Sequence, residues 1–328
     1  MKILFYEKTF CRIKEKLSKT APAVTPIIMH NDGSLSCEGK TIDKGDAQPE
    51  AAFGCSDLYN LGPARDFMIL LLKSETMRWM QSGAAGFDAP VFGRLAEKGV
   101  RLTKSNSAAI AIAEFVMGSV LNAFQPNRKR RESQQKREWA KYEFQEIHGT
   151  SWLIIGLGNV GREIAVRASA FGCRVTGVRR KPVGNEPATE VITSDKIMSV
   201  LPSTDVVVLS ASLNSETKHM VNNEFLAAMK PASVLVNVGR GSLIDEDTLI
   251  KSLDKGIPAC AILDVFETEP LPRESPLWTH PRVRATAHCS ARSPEKQARG
   301  DRVFFDNLKR YMDGNPLCFE VDRSEFNK

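Results

Sequence analysis

Hydrophobic residues follow a regular alternation in the second half of the chain. Between residues 151 and 265, apolar runs rich in β-formers are separated by segments long enough for helices; the runs are SWLIIG, RVTGV, DVVVLS, SVLVNV and ACAILDV. Continuous apolar strands of this kind are typical of a parallel sheet that is covered on both faces. This half of the chain therefore predicts a doubly wound α/β fold.

The first half has a weaker pattern. KILFY at the start predicts a strand, the charged segment behind it a helix, and MRWMQSGAAGFD (77–88) a strand ending in a glycine-rich loop. Residues 31–62, rich in Gly, Ser and Asp, predict short strands and loops. The apolar segment 108–123 predicts a helix that Pro126 stops. NRKRRESQQKREWAKYEF, which follows, has the composition of a solvated helix.

Length, charge and cysteine usage narrow the function classes. A chain of 328 residues predicts two domains, and a net charge of +6 suits anionic small molecules but is too weak to indicate nucleic acid binding. The seven cysteines show no CxxC spacing, so we expect neither a disulfide framework nor a metal site. Because no apolar run approaches the length of a membrane span and no signal-peptide pattern is seen, we expect a cytoplasmic protein that binds no membrane.

The sequence GLGNVG supplies three glycines in the spacing of dinucleotide-binding loops. Gly156, Gly158 and Gly161 follow the strand WLII and open an apolar helix. Gly156 permits the tight turn, Gly158 lets backbone N–H groups approach a pyrophosphate, and Gly161 lets the helix pack closely on the strand. This context predicts that a dinucleotide binds here.

Cations stand where NAD-binding chains usually carry an acid. Arg179 lies 18 residues after Gly161, at the end of the strand RVTGV, and Arg180 and Lys181 follow it. A guanidinium can bind a 2′-phosphate through paired hydrogen bonds, whereas a carboxylate would repel it. We therefore predict NADP as the preferred cofactor, with NAD possible if these cations are only a solvated loop.

Several stretches resemble the D-isomer-specific 2-hydroxyacid dehydrogenase family; they are AAGFD (84–88), AIAEFV (111–116), GLGNVG, residues 215–250, ILDVFETEPLP (262–272) and TAHCS (286–290). The resemblance implies a Rossmann domain, residues 103–286, inserted into a flavodoxin-like substrate-binding domain made of residues 1–102 and 287–328. It implies a homodimer with its active site in the cleft between domains. The implied reaction is hydride transfer between NADP(H) and a small 2-keto acid or D-2-hydroxy acid, and we expect reduction of glyoxylate or hydroxypyruvate.

Reduction of a 2-keto acid needs a cation for the carboxylate and a proton donor for the carbonyl oxygen. Arg240 follows the strand SVLVNV, with glycines on both sides that leave it open to the cleft, and His288 in TAHCS matches the family's catalytic histidine. A carboxylate should orient the histidine; the residues alone leave Asp264, Glu267 and Glu269 as candidates. The resemblance implies Glu269 as the partner of His288 and places Asp264 at the nicotinamide end.

The resemblance also implies further contacts. The other expected cofactor-binding residues are Asn159, Val160, Ser210, Ala211, Val238, Gly239, Arg240, Asp264, His288 and Ser290. Substrate is expected to meet Arg240, His288 and the backbone amides of Gly83, Ala84, Ala85 and Gly86, with its side chain bordered by Gly54, Cys55 and Ser56. One departure is SASLN: the family often has proline where this chain has Ser212, so we expect a less constrained loop. Arg292 is either a substrate contact or a surface charge.

Two other functions fit the same motifs. One is a dinucleotide-sensing scaffold like the transcriptional corepressors related to this family; the intact set Arg240, Glu269 and His288 favours an enzyme but does not separate the two. The other is an NAD-linked, phosphoglycerate-type dehydrogenase. The cation at residue 179 and the expected lack of a regulatory domain after residue 328 count against it.

Overall fold

The chain forms two compact units. The computed structural model describes residues 1–84, 86–87, 89–323 and 326. One unit comprises Met1–Ala108 and Ser293–Lys328, and the other comprises Ala109–Arg292. The first unit is interrupted after residue 108 and resumes after residue 292, whereas the sequence predicted these boundaries after residues 102 and 286. As a result His288 belongs to the second unit and not, as expected, to the returning C-terminal segment.

The first unit contains a mixed sheet. Its elements before residue 109 are β1 (Lys2–Tyr6), α1 (Glu7–Thr20), β2 (Thr25–Met29), β3 (Leu35–Cys37), β4 (Lys40–Ile42), β5 (Ala51–Gly54), α2 (Ser56–Leu61), α3 (Ala64–Lys73), β6 (Trp79–Ser82), α4 (Pro90–Glu97) and β7 (Arg101–Thr103). The strand order is β4-β3-β2-β1-β5-β6-β7. β3 pairs antiparallel with both β2 and β4, and the other neighbouring strands in this order pair parallel. The parallel part has the 2-1-3-4-5 order of flavodoxin-like folds.

The second unit contains a parallel sheet. Its helices and strands are α5 (Ala109–Phe124), α6 (Asn127–Lys136), β8 (Ser151–Ile155), α7 (Asn159–Ala170), β9 (Arg174–Val178), β10 (Glu190–Ile192), α8 (Ile197–Val200), β11 (Val206–Leu209), α9 (Asn223–Ala228), β12 (Val234–Asn237), α10 (Glu246–Asp254), β13 (Cys260–Leu263) and β14 (Val283–Ala285). The order β10-β9-β8-β11-β12-β13-β14 is the Rossmann order 3-2-1-4-5-6 with one strand added. The predicted fold class, a Rossmann domain inserted into a second α/β domain, is confirmed.

Apolar periodicity explains how the second unit packs. Every residue of β11 and β12 is buried, as expected for parallel strands covered on both faces. In α7 the buried residues recur at the spacing of one helical face; they are Gly161, Ile164, Ala165 and Ala168. α7 contacts β8 and β9 as well as α5, so the helix that opens at the glycine loop is held on the sheet.

The last helix, α11 (Pro294–Met312), returns to the first unit. Its Phe304 stacks on Phe53 with ring centroids 4.3 Å apart and meets Phe5 edge-on at 5.7 Å. Offset and edge-to-face aromatic pairs add to the burial of apolar area. The C-terminal segment is therefore part of the first unit's core, next to β1 and β5.

The charged segment after Pro126 is helical only in its first part. α6 ends at Lys136, and Arg137 adopts a left-handed conformation with φ of +58°. The helical composition extends to Phe144, but the backbone of residues 138–146 has no regular structure. The expectation of one long solvated helix was therefore wrong beyond Lys136, because the turn at Arg137 is not signalled by glycine or proline.

In the described part of the chain no single helix is both long and apolar enough to cross a membrane; α5 and α6, bent by 62°, pass that test only as a pair, on length and composition.

Candidate active site

The glycine loop after β8 is shaped by contact with the loop after β11. Gly156 has φ of +102°, and a Cβ there would lie 2.5 Å from the backbone nitrogen of Ala211. A Cβ on Gly161 would lie 2.2 Å from the carbonyl oxygen of Gly156. Only glycine fits either position. The two loops thus meet between β8 and β11, where the strand order reverses and where open α/β sheets bind ligands.

The start of α7 fits a dinucleotide pyrophosphate. Its N-cap residue is Gly158, which has no side chain to accept hydrogen bonds from the first-turn N–H groups. A Cβ at Gly158 would meet no atom within 4 Å, so this side of the N-cap residue is open. Asn159 and Val160 are the first helical residues. Exposed N–H groups at a helix start favour an anion, which is what the proposed cofactor would supply.

The residues after β11 and β12 surround the glycine loop. Ser210 Oγ donates a hydrogen bond to the carbonyl oxygen of Gly156 at 2.8 Å. Val238 is buried, its N–H bonded to Leu209, and a Cβ on Gly239 would lie 2.9 Å from the carbonyl oxygen of Ala211. The structure therefore brings together the cofactor residues that the sequence predicted on these three loops.

The SASLN loop, which lacks the proline often found in the family, is held by side-chain hydrogen bonds. Thr217 Oγ1 donates to the carbonyl oxygen of Ser212 at 2.8 Å, and the Asn214 carboxamide oxygen accepts from the backbone N–H groups of Glu216 and Thr217 at 2.9 and 3.0 Å. These hydrogen bonds constrain the loop through a side-chain turn. That it is less constrained than a loop with proline stays a prediction.

The cations after β9 face an acid that sequence reasoning did not identify. Arg179 is about one third exposed, and its Nη1 lies 3.7 Å from Oε1 of Glu186. Arg180 is exposed. Six residues of loop separate Arg179 from Glu186, so only the fold shows that they are neighbours.

His288 and Glu269 form a hydrogen-bonded pair. Nδ1 of His288 lies 2.7 Å from Oε2 of Glu269, and the other carboxylate oxygen accepts from the backbone N–H of Phe266 at 3.0 Å. Of the candidate acids on this loop, the structure pairs Glu269 with His288. The pairing orients the ring so that Nε2 is directed away from the carboxylate. Half of the His288 side chain is exposed, which leaves room for a reacting molecule.

Asp264 holds the loop that carries His288. It is fully buried, and its carboxylate accepts hydrogen bonds from Thr286 Oγ1 at 2.6 Å and from the N–H groups of Cys289 and Ser290 at 2.9 and 3.0 Å. A buried carboxylate needs such donors to offset its lost hydration. These hydrogen bonds all go to the histidine loop, so the predicted contacts of Asp264 and Ser290 with the cofactor stay predictions.

The turn at Arg240 touches the loop that carries Glu269. Arg240 Nη1 donates to the carbonyl oxygen of Gly239 at 2.7 Å, and Asn237 Nδ2 donates to that of Arg240 at 2.9 Å. A Cβ on Gly241 would lie 1.8 Å from the carbonyl carbon of Phe266. The glycines on both sides of Arg240 are therefore explained by close backbone contact between loops. From the sequence alone, they were explained by the open space that they leave around Arg240.

A second histidine–glutamate pair lies on the same loops. His219 Nε2 makes a short contact with Glu267 Oε1, and the His219 N–H donates to Ser242 O at 2.8 Å. The Glu267 N–H donates to Glu246 Oε1 at 2.8 Å. Burial, with the carboxylates of Glu267 and Glu269 nearby, raises the pKa of Glu246. His219 carried no motif in the sequence, yet it links the loops that bear Arg240 and Glu269.

The predicted substrate loop of the first unit lies at the carboxyl ends of β5 and β6. Gly83 donates its N–H to the carbonyl oxygen of Gly54 at 2.7 Å, and a Cβ on Gly83 would lie 2.9 Å from the backbone nitrogen of Ser56. The structure thus joins two of the predicted segments. Of the other predicted residues, Cys55 is buried, Ala84 and Gly86 are half-buried, Arg292 is exposed, and Ala85 lies outside the described residues.

Among the described residues, no cluster of three or more His, Cys, Asp or Glu side chains could hold a metal ion. The seven cysteines are free thiols.

A family model identifies the second unit. The model described as "D-isomer specific 2-hydroxyacid dehydrogenase, NAD binding domain" matches residues 117–290, which is more than half of the chain. The matched range contains β8–β14 and the residues Arg240, Glu269 and His288.

The sequence matches to curated relatives cover more of the chain than the second unit. A D-3-phosphoglycerate dehydrogenase of Methanocaldococcus jannaschii is 31% identical over 74% of this chain, but the match spans only 47% of its own length. A glyoxylate reductase of Korarchaeum cryptofilum is 30% identical over 73% of this chain and 74% of its own. The chain therefore spans about half of the first relative and most of the second.

A solved structure covers both units. The D-isomer-specific 2-hydroxyacid dehydrogenase of Xanthobacter autotrophicus, in complex with NADPH and MES, is 25% identical with a TM-score of 0.78 and covers 99% of this chain and 98% of its own.

Proposed function

The chain belongs to the D-isomer-specific 2-hydroxyacid dehydrogenase family, and we propose that it is a reductase that uses NADPH to convert a small 2-keto acid, such as glyoxylate or hydroxypyruvate, into the 2-hydroxy acid. The observation that carries this proposal is the His288–Glu269 hydrogen bond of 2.7 Å on a loop packed against the Arg240 turn. Together these side chains offer a proton donor, its orienting acid and a cation for the substrate carboxylate.

The proposed roles follow from the chemistry of each side chain. When bound, the cofactor supplies the hydride. His288 donates a proton from Nε2 to the carbonyl oxygen, because Nδ1 is held by Glu269. The Glu269 carboxylate accepts the hydrogen bond from Nδ1 and so fixes the orientation of the ring. Arg240 binds the substrate carboxylate and so aligns the carbonyl. The backbone amides of Gly83, Ala84 and Gly86 are also proposed to bind the substrate.

The function is tested by turnover of purified protein with a panel of 2-keto acids and either NADPH or NADH. The proposal expects NADPH oxidation with glyoxylate or hydroxypyruvate. Absence of turnover with every acid in the panel, at a protein concentration that binds NADPH, would contradict it and favour a dinucleotide-binding scaffold.

A phosphoglycerate-type dehydrogenase is the second candidate, because a relative of that name is 31% identical. It is distinguished by reduction of NAD⁺ in the presence of 3-phosphoglycerate. Arg179 at the end of β9 argues against it, since NAD sites usually carry an acid there.

Replacing Arg179 with glutamine is expected to weaken NADPH binding by about 10- to 100-fold and to leave NADH binding nearly unchanged, because a charge-assisted hydrogen bond to the 2′-phosphate is lost. Fluorescence titration of both cofactors measures this. Arg174→Gln is the matched control, since Arg174 is exposed at the opposite end of β9. Equal losses for NADPH and NADH would show that Arg179 does not read the phosphate.

We also propose a cytoplasmic homodimer whose partners are small molecules and not nucleic acid or membranes. Trp139 is 95% exposed and Phe144 is 51% exposed, and both lie on the irregular segment after α6. Large exposed aromatics are typical of protein interfaces. This segment is the proposed dimer contact.

Trp139→Arg is expected to convert the dimer to a monomer at micromolar concentration, because it places a charge in an apolar contact. Sedimentation velocity measures the change. Phe171→Arg, at an exposed aromatic residue after α7, is the control that should leave the dimer intact. A monomeric wild type, or a dimeric Trp139→Arg variant, would argue against this contact.

A further inference from the structure

The loop after β9 contains an anion site that is filled by one of the protein's own side chains. The Glu186 carboxylate accepts hydrogen bonds from the backbone N–H groups of Val183 at 2.6 Å and Gly184 at 2.9 Å. Gly184 is left-handed, with φ of +84°. Successive N–H groups that converge in this way form a concave site for an anion. The loop is therefore built around a negative charge.

Arg179 adds a positive charge to the site but makes no hydrogen bond with the Glu186 carboxylate. Its Nη1 lies 3.7 Å from Glu186 Oε1, which is close enough for charge neutralisation but too long for a hydrogen bond. The Arg179 side chain is 34% exposed, so its guanidinium remains accessible to a second anion.

The loop is tied to the helix that opens the dinucleotide site. Arg162 is on the first turns of α7, and its Nη2 donates to the carbonyl oxygen of Asn185 at 3.1 Å. The anion site therefore stands at the carboxyl end of β9, beside β8 and its glycine loop. This is the place at which the adenosine ribose of a dinucleotide lies in Rossmann folds.

We propose that Glu186 is an internal competitor of the cofactor's 2′-phosphate. Its carboxylate occupies the N–H groups of Val183 and Gly184 and neutralises Arg179, so NADP(H) binds only by displacing it or by tolerating its charge. NAD(H) lacks the 2′-phosphate, so its binding is not affected. Glu186 thereby limits the preference for NADP(H) that Arg179 creates. This inference rests on the proposed cofactor site.

The charge state of Glu186 supports the competition. Hydrogen bonds from the Val183 N–H and Gly184 N–H, with Arg179 nearby, hold the pKa of Glu186 below its usual range. Because the carboxylate is charged at neutral pH, it repels a phosphate that approaches the same guanidinium.

The test is fluorescence titration of NADPH and NADH with the wild type and Glu186→Gln. Removing a full charge beside the phosphate is expected to tighten NADPH binding by about tenfold and to change NADH binding by less than about twofold. Glutamine keeps the length of the side chain and an acceptor oxygen for the loop. Glu190→Gln is the control, because Glu190 is exposed on neighbouring β10 and its backbone pairs with Thr176, away from residue 179.

A double variant links the effect to Arg179. In an Arg179→Gln background, Glu186→Gln should no longer improve NADPH binding, since the phosphate has lost its cation. Glu186→Ser is a second variant, with thermal unfolding as the check on its fold. Selective loss of NADPH affinity in Glu186→Gln would show that the carboxylate orients Arg179, and equal changes for both cofactors would show a loop effect only. Either result overturns the proposal.

This result is separable from the proposed function. The wild-type ratio of NADPH to NADH affinity tests the cofactor preference, whereas the change of that ratio in Glu186→Gln tests the competition. A wild type that binds both cofactors equally, with a variant that prefers NADPH, would contradict the first and support the second.

Discussion

Replacing His288 with asparagine is expected to lower kcat for 2-keto acid reduction by about 100- to 10,000-fold, the usual contribution of a general acid. The carbonyl oxygen gains charge as hydride arrives, and asparagine has no acidic proton to give. Since the Nδ1 position of the ring is held by Glu269 at 2.7 Å, the lost proton is that on Nε2. Steady-state kinetics at saturating NADPH measures the effect.

The control for His288 is His280→Asn. His280 Nε2 lies 3.4 Å from Asp254, and neither residue has a proposed catalytic role. Glu269→Gln should also lower kcat, and the variant with both His288→Asn and Glu269→Gln should be no slower than His288→Asn, because residues that act as a unit are not additive. Near-normal turnover of His288→Asn with every keto acid would refute the proposed mechanism.

Gly241→Ala is expected to lower kcat/KM by about 100-fold or more, the cost of displacing catalytic groups by about 1 Å. A Cβ at this position would lie 1.8 Å from the carbonyl carbon of Phe266 and 2.3 Å from the nitrogen of Glu267. Both neighbours are backbone atoms, so no side chain can rotate away. Either the Arg240 turn or the Glu269 loop must move.

The same substitution should reduce the free energy of unfolding by about 1–3 kcal/mol, as overpacking at a buried contact does. Thermal or denaturant unfolding measures it. Gly118→Ala is the control: Gly118 is inside α5, its Cβ would meet no atom within 4 Å, and the change should be neutral or stabilising by about 1 kcal/mol. Equal activity and stability of both variants would show that the loops adapt without cost.

Both predictions concern loops whose backbone is constrained by their contacts. His288 and His219 have left-handed backbone conformations, with φ of +46° and +51°, and each is paired with a glutamate of the 266–269 loop. Non-glycine residues adopt this conformation at a cost, and such strain is concentrated at functional sites. The buried carboxylate of Asp264 holds the loop of His288 in this conformation through three hydrogen bonds.

The sequence by itself determined the doubly wound fold and the position of the glycine loop. The runs that form β8, β11, β12 and β13 were apparent because strands buried on both faces are apolar nearly throughout, and β9 was apparent from its shorter β-rich run RVTGV. β10 and β14 were not predicted, since each has three residues and no such run. Gly156 and Gly161 were recognisable because their spacing follows from the local turn between strand and helix.

Only the tertiary structure decided which charged groups meet. Residue type alone left the acids at 264, 267 and 269 open, and only the family resemblance indicated Glu269 as the partner of His288. In the structure one holds the histidine loop, one binds His219 and one binds His288. The sequence showed no acid at residue 179, whereas the fold brings Glu186 to Arg179. Such pairings depend on how loops from separate strands pack, as Gly241 does against Phe266, and that packing joins residues whose separation along the chain carries no periodic signal.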